Sequence, residues 1–401
     1  MLGLDLVRPL EDDWRDALDA VARARGWPTS RDVAALASRV ATLSAAYNDP
    51  ERARAVVRDA GAARLGFSFP RDVPKAAAAV RELVATGAVP RGSSLRVLDV
   101  GAGLGATTWG VARALEAARV AAELDVTWVD ADTQALELAG AIALARQSLG
   151  RASLRVRAIP RVAGRFDDLG RFDLVLAGQL LSELDVGSPD EVRAARHAEL
   201  LGDWLERRLE PQGTLVVVEP ALRDRTRHLH RVRDLLAAGG ATVFAPCLHA
   251  APCPALARDT DWCHEDLDVD LPAWLAPVAR AAGLRREGLT FSYLVLRKDG
   301  LRLLDAVDRP PGAARLRVVS GPIVTKGKRE AYLCGELAHG GSIEAGRARV
   351  MRLDRHACAA NEAWARFGRG DVVTIDPAPE LERPRVGQEA QVSLSGDGES
   401  R

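Results

Sequence analysis

Arg96-Val97-Leu98-Asp99-Val100-Gly101-Ala102-Gly103-Leu104-Gly105 is the stretch that decides the fold. An apolar run closes on an acid, three glycines follow at alternate positions, and Thr108, Trp109, Val111, Ala112 and Leu115 continue at helical spacing. That order is strand, tight loop, helix. Glycines there permit positive φ and let a ligand approach backbone that a Cβ would shield. The third glycine comes two residues after the second, so the loop is not the G-x-G-x-x-G of dinucleotide sites. Downstream, Val126-Thr127-Trp128-Val129-Asp130 reads as a second strand ending in an acid. A carboxylate at that place can accept from both hydroxyls of a diol. Asp132 reads as the cap of the next helix.

The glycine spacing resembles motif I of class I methyltransferases. The resemblance implies S-adenosylmethionine as cofactor, with Asp99 helping to orient its amino-acid part and Asp130 bonding the ribose hydroxyls around Gly101, Gly103 and Gly105. Gln179, Ser182 and Glu183 are expected along the cofactor edge. Enzymes of this class that methylate exocyclic amines end the fourth strand in Asn or Asp, Pro-Pro and an aromatic. Phe172-Asp173-Leu174-Val175-Leu176-Ala177-Gly178-Gln179 continues without that tetrapeptide, and no cysteine lies near strands four or five. Glu219, after Val216-Val217-Val218, reads either as a base or as a structural carboxylate at a strand end. No residue receives a catalytic assignment.

Working outward, short β-branched or Leu-rich runs at 95–100, 125–130, 153–158, 172–177, 213–219, 241–245 and 290–297 alternate with Ala-rich helical stretches. The predicted fold class is therefore α/β, a Rossmann-like class I methyltransferase sheet of seven strands over residues 91–300. Residues 1–90 read as a helical region, with Trp14, Leu18 and Val21 and then Val33, Leu36, Val40 and Leu43 at helical spacing. Runs such as Leu316-Arg317-Val318-Val319 and Val372-Val373-Thr374-Ile375 predict a small β-rich module over 301–385. The polar residues 386–401 are expected to be a disordered tail.

The 401 residues carry zero formal net charge, so no long-range field attracts a polyanion and any nucleic-acid contact must come from local patches. No run approaches the ~18 apolar residues of a membrane span, and early acids exclude a secretory or transit signal reading. A cytoplasmic location without membrane or DNA partners is expected. In that compartment five cysteines point away from disulfides.

Three cysteines fall within 17 residues, in Ala245-Pro246-Cys247-Leu248-His249-Ala250-Ala251-Pro252-Cys253-Pro254 and Asp261-Trp262-Cys263-His264. Thiols and imidazoles among proline-restricted turns suit a metal. Tetrahedral zinc would take Cys247, Cys253 and Cys263 with His249 or His264. An iron–sulfur cluster would require a fourth, distant thiol, Cys334 or Cys358. Cys358 reads as an ordinary buried cysteine. The residues alone leave both chemistries open.

With the glycine loop, Val218-Glu219-Pro220, the Cys-Pro and Trp-Cys-His elements, Phe291-Ser292-Tyr293-Leu294 and Leu333-Cys334-Gly335 in place, the chain resembles the methyltransferase-like assembly proteins of the small ribosomal subunit, known from mitochondria and bacteria. That resemblance implies a 4Fe-4S cluster on Cys247, Cys253, Cys263 and Cys334, binding to the small subunit and its rRNA during assembly, and methyl transfer if the enzyme is active. Glu265 departs from the aromatic that members usually carry after Cys-His. Two basic segments suit phosphate contact: Arg223, Arg225, Arg227, Arg231 and Arg233 with His228 and His230, and Lys326, Lys328 and Arg329.

Overall fold

The computed structural model describes residues 1–47, 60–90, 92–120, 123–147, 154–285, 287–306, 312–339, 342–382 and 384–395. Helices α1 (Asp12–Ala24), α2 (Val33–Tyr47) and α3 (Phe69–Ala85) precede the first strand. Strands β1 (Ser94–Val100), β2 (Glu123–Asp130), β3 (Leu154–Pro160), β4 (Phe172–Gly178) and β5 (Leu209–Glu219) then alternate with α4 (Ala106–Ala117), α5 (Thr133–Gln147) and α6 (Asp190–Asp203). Helix α7 (Arg223–Ala238), β6 (Thr242–Ala245), β7 (Glu265–Leu267), α8 (Ala276–Ala281) and β8 (Leu289–Arg297) complete this part.

The sheet order is β3-β2-β1-β4-β5-β8-β6, with the short β7 on β8. Strands β1 to β5 are parallel, whereas β8 runs antiparallel to both β5 and β6. Both faces are covered, so Val97 to Val100 of β1 and Leu174 to Ala177 of β4 are buried continuously rather than alternately. On one face Trp14, Leu18 and Val21 of α1 join Trp109 of α4 and Trp128 of β2 in one core, with Trp14 edge-on to Trp109 at 5.0 Å. Helices α1 and α3 thus complete this face of the sheet, whereas α2 packs Leu36, Val40 and Leu43 against Leu275 and Val278 in a separate core. On the other face Leu201 and Trp204, from and just after α6, pack with Leu229 and Val232 of α7. Each such fully buried aromatic or aliphatic side chain is worth about 1.5–3 kcal/mol.

Beyond residue 312 the strands β9 (Ala314–Val318), β10 (Ile323–Thr325), β11 (Lys328–His339), β12 (Ser342–Leu353), β13 (Val372–Asp376) and β14 (Gln391–Leu394) form a separate antiparallel sheet, ordered β10-β11-β9-β13-β14 with β12 on β11. Trp364 and Phe367 fill its core. β14 corrects the expectation of a disordered tail from 386: Val392 and Leu394 bury their side chains while Gln391 and Ser393 stay exposed, so this stretch pairs with β13 as an alternating edge strand. The rest of that expected tail, 396–401, lies outside the described residues. No described helix is long and apolar enough to cross a membrane.

Candidate cofactor cleft and cysteine cavity

Strand order reverses between β1 and β4, and in such sheets the crevice at the carboxyl ends of the strands at that point receives the ligand. Gly101, Gly103 and Gly105 occupy it with φ of +67°, +53° and +80°. A Cβ would come within 2.8 Å of Leu180 Cδ1 at Gly101 and within 2.9 Å of Trp128 Cζ2 at Gly105, so both backbone and space demand glycine. Asp130 holds the loop: its Oδ2 accepts from Gly103 N–H at 2.7 Å and its Oδ1 from Asp132 N–H at 2.8 Å. Asp132 caps α5, accepting from Ala135 N–H at 3.0 Å.

Asp99 faces inward. It is fully buried, accepting from the Thr108 hydroxyl at 2.6 Å and the Thr108 N–H at 3.2 Å, so it ties α4 to β1 beneath the loop. Burial pushes its carboxyl up to about 7. Gln179, just past β4, takes a left-handed φ of +58°; its N–H donates to Val218 O at 2.6 Å and its side-chain amide to Asp72 at 2.7 Å. Asp72 also accepts from Lys75 at 2.7 Å, so α3 reaches the end of β4. Glu219 accepts from Leu181 N–H at 2.9 Å and bonds the Ser182 hydroxyl, and burial pushes it up to about 7. Burial also raises Glu183, against the pull of Arg64.

Arg64 and Asp72 carry no motif and escaped sequence reasoning. Arg64 donates to Asp132 Oδ2 at 3.0 Å across 68 residues of chain, a proximity no local pattern reports.

The cysteines meet at a second site. The loop after β6 brings Cys247, Cys253 and Cys263, and β11 of the C-terminal sheet brings Cys334, to one cavity of about 60 Å³. A single water needs only about 10–15 Å³ by this measure. Cys334 stands in register between Arg317 of β9 and Arg347 of β12. His249 Nε2 lies 3.4 Å from Cys334 Sγ, while Arg369 donates to His264 Nε2 at 3.4 Å. Burial and the other sulfurs raise the thiols of Cys253, Cys263 and Cys334, Cys263 to about 11. Thiolates there need compensating charge, which Arg233 supplies beside Cys247 and Cys253, and Arg347 beside Cys263 and Cys334. Among the described residues, no group of three or more Cys, His, Asp or Glu side chains stands close enough to hold a single ion. Cys358 caps a short 3-10 helix away from this cavity, half-buried rather than buried, with Sγ–H donating to Gln388 O at 3.1 Å.

Much of the first basic segment serves this loop. Arg227 donates to the carbonyls of Ala255, Arg258 and Asp261 at 3.0, 2.6 and 2.7 Å, and Arg233 to those of Ala251, at 2.5 Å, and His249. Asp234 accepts from Cys253 N–H at 2.9 Å, and His230 from Cys263 N–H at 3.2 Å. His228 packs on His197, their ring nitrogens 2.8 Å apart. The phosphate-contact reading of this segment is therefore narrowed: helical periodicity turns Arg227, His228 and Arg233 inward, whereas Arg223 is exposed and Arg231 pairs with Asp190 at 3.0 Å. In the second segment Lys326 is exposed, Lys328 pairs with Glu330 at 3.0 Å, and Arg329 lies over Phe367.

A buried charge network joins the two sheets beside the cavity. Glu82 of α3 receives two guanidinium bonds from Arg317, at 2.5 and 3.0 Å, and Arg81 pairs with Glu265 at 2.7 Å. The Tyr293 hydroxyl lies 3.5 Å from Glu82. Glu265, the residue that departs from the resembled pattern, is thus half of a buried ion pair.

Among solved structures, the chain is similar to a putative class I S-adenosylmethionine-dependent methyltransferase from Listeria monocytogenes (13% identity, TM-score 0.39, covering 75% of this chain and 90% of that one). It is also similar to a precorrin-6y C5,15-methyltransferase from Geobacter metallireducens (15%, 0.30, 54% and 86%) and to a methyltransferase from Thiobacillus denitrificans bound to S-adenosyl-L-homocysteine (21%, 0.25, 37% and 48%). These likenesses are faint, and the fold assignment rests on the strand order. No curated protein matches the chain significantly. The sequence pattern of the family described as mitochondrial small ribosomal subunit Rsm22 matches residues 73–341, about two-thirds of the chain and inclusive of both glycine loop and all four cavity cysteines. The chain belongs to the Rsm22 family.

Proposed function

We propose that this protein is an assembly factor of the small ribosomal subunit that binds rRNA, carries S-adenosylmethionine in the β1–β4 cleft and holds a 4Fe-4S cluster on Cys247, Cys253, Cys263 and Cys334. The family match supports the small-subunit role. The observation that carries the reading is the convergence of four cysteines, from two different sheets, on one cavity.

The donor set fits the groups assigned to it. In the cleft, three glycines leave backbone open, and the Asp130 carboxylate, bound to two backbone N–H groups, keeps lone pairs free to accept from a diol. In the cavity, four thiols match the all-cysteine ligation of such clusters. One zinc ion would draw its sulfurs to within about 3.8 Å of one another, given bonds of ~2.3 Å in a tetrahedron. An iron–sulfur cluster would take four thiolates, and Cys334 would complete that set without a histidine. Arg233 and Arg347 would offset the net negative charge of a cluster on four thiolates. When bound, the cluster supplies a covalent tie between the two sheets, and S-adenosylmethionine an activated methyl group. The chain's own residues then set the frame: Arg227, Arg233 and Asp234 fix the cysteine loop, and Arg223 and Lys326 offer exposed charge to phosphate.

A second reading, active methyl transfer to rRNA, is favoured by Glu219. Glu219 ends β5 beside β4 and bonds the Ser182 hydroxyl at the expected cofactor edge, and burial raises its carboxyl toward neutrality, the range a general base requires.

Anaerobic purification tests the first reading. A brown protein with about four irons and matching sulfide per chain is expected, together with co-sedimentation with immature small subunits that weakens steeply with salt. Stoichiometric zinc without iron refutes the cluster, and salt-insensitive or absent association refutes the RNA contact. Methyl transfer to those subunits decides the second reading.

A further inference from the structure

We infer that Arg64 is the cofactor's carboxylate anchor, contributed by the N-terminal helical region from outside the family-matched span. This inference rests on the assignment of S-adenosylmethionine to the β1–β4 cleft.

Arg64 opens a wide π-type turn, Arg64–Ser68, that runs directly into α3. Such turns displace a side chain from the regular helical face and recur at functional sites. Its guanidinium lies on the glycine loop, with Nη2 3.2 Å from the position a Cβ would take at Gly103. Gly103 is the residue whose N–H bonds Asp130. The acceptor suited to a ribose diol and a guanidinium therefore meet on one loop residue. Nη1 bonds Asp132 at 3.0 Å, while Nε and Nη2 have no acceptor among the described residues. Only about a fifth of the side chain is exposed, and its charge also acts on Glu183 at the expected cofactor edge.

The chemistry of the cofactor selects what Arg64 can bind. Its sulfonium and α-ammonium are cations that a guanidinium repels. Adenine is neutral, and the diol is matched by Asp130. The α-carboxylate is its one anion, and the guanidinium fork matches a carboxylate in two parallel bonds. Asp132 holds the fork over the loop until that carboxylate arrives.

Calorimetric titration with S-adenosylhomocysteine and with 5′-methylthioadenosine, which lacks the amino-acid end, tests this. Wild type is expected to bind both. Arg64→Gln is expected to weaken S-adenosylhomocysteine roughly ten- to hundredfold, the loss of charge-assisted bonds, and to leave methylthioadenosine within about twofold. Arg64→Lys, which keeps the charge but loses the fork, is expected to fall between. Equal weakening of both ligands means Arg64 stacks on adenine or supports the loop, and an unchanged affinity for S-adenosylhomocysteine means it makes no contact; either overturns the inference. Failure of wild type to bind either ligand overturns the cleft assignment itself, a result distinct from both.

Discussion

Replacing Arg317 by Met breaks the ion pair that holds the antiparallel sheet to α3. Arg317 and Glu82 are 4% and 1% exposed, and the guanidinium gives Glu82 two bonds while also donating to Gly370 O at 2.7 Å and Pro246 O at 3.0 Å. Its removal strands a buried carboxylate whose remaining support is the Tyr293 hydroxyl and the charge of Arg81. Removing one partner of a buried pair costs about 3–5 kcal/mol. At about 2.1 cal/mol/K per residue, cooperative unfolding of the chain changes free energy by ~0.8 kcal/mol per degree, so the melting temperature should fall by about 4–6 °C. Glu82→Gln with Arg317→Met removes the stranded charge, so the double variant should be more stable than the two single losses added together, by about 2 kcal/mol. Differential scanning calorimetry with limited proteolysis of the C-terminal sheet measures both. A single-variant cost below about 1 kcal/mol, or strict additivity, would refute the view that this pair is the charged hinge-pin of the interface.

Cys334→Ser should release iron and speed proteolysis within 312–395, because the one thiol contributed by the second sheet is lost; unchanged iron and unchanged protease resistance argue against the shared cluster. Glu219 should make stability fall with pH. Its folded value near 7 exceeds the ordinary carboxyl value, so its contribution is full below about 4.5 and is lost as pH rises through 7, on the order of 3 kcal/mol. Buried His197, His228, His230, His249 and His264, all lowered to about 4, push stability the other way over part of this range, so the test is the difference from wild type: Glu219→Gln should gain on wild type by roughly 2–3 kcal/mol in urea unfolding between pH 5 and 8, and a difference that stays constant with pH assigns the titration elsewhere. Gly110→Ala should destabilise despite alanine's better helix propensity, since the new Cβ would lie 2.3 Å from Val73 O and 2.6 Å from Ala76 Cβ across the α3–α4 contact. A cost of about 1–3 kcal/mol is expected from chemical denaturation, and a neutral result means those helices can separate freely.

What the sequence by itself determined was everything local period and glycine chemistry can specify. The strand after Leu95, the loop through Gly105 and the acid at Asp130 follow one another along the chain, so their order alone dictates a β-loop-α unit and its neighbouring strand. The cysteine loop was legible for the same reason, three of its thiols lying in one short segment. Only the tertiary structure decided what distant segments do to one another. It brought Cys334 to the other three, sent Asp99 beneath the loop rather than over it, and laid Arg64 on Gly103. It also turned Arg227 and Arg233 from an apparent RNA-facing stripe into clamps on the cysteine loop, because which face of α7 is buried depends on what packs against it. Glu82 and Arg317 make the point most plainly: 235 residues apart, each reads alone as an ordinary surface charge. A charge can be buried only when its partner arrives with it, and no local pattern in the chain records that arrival.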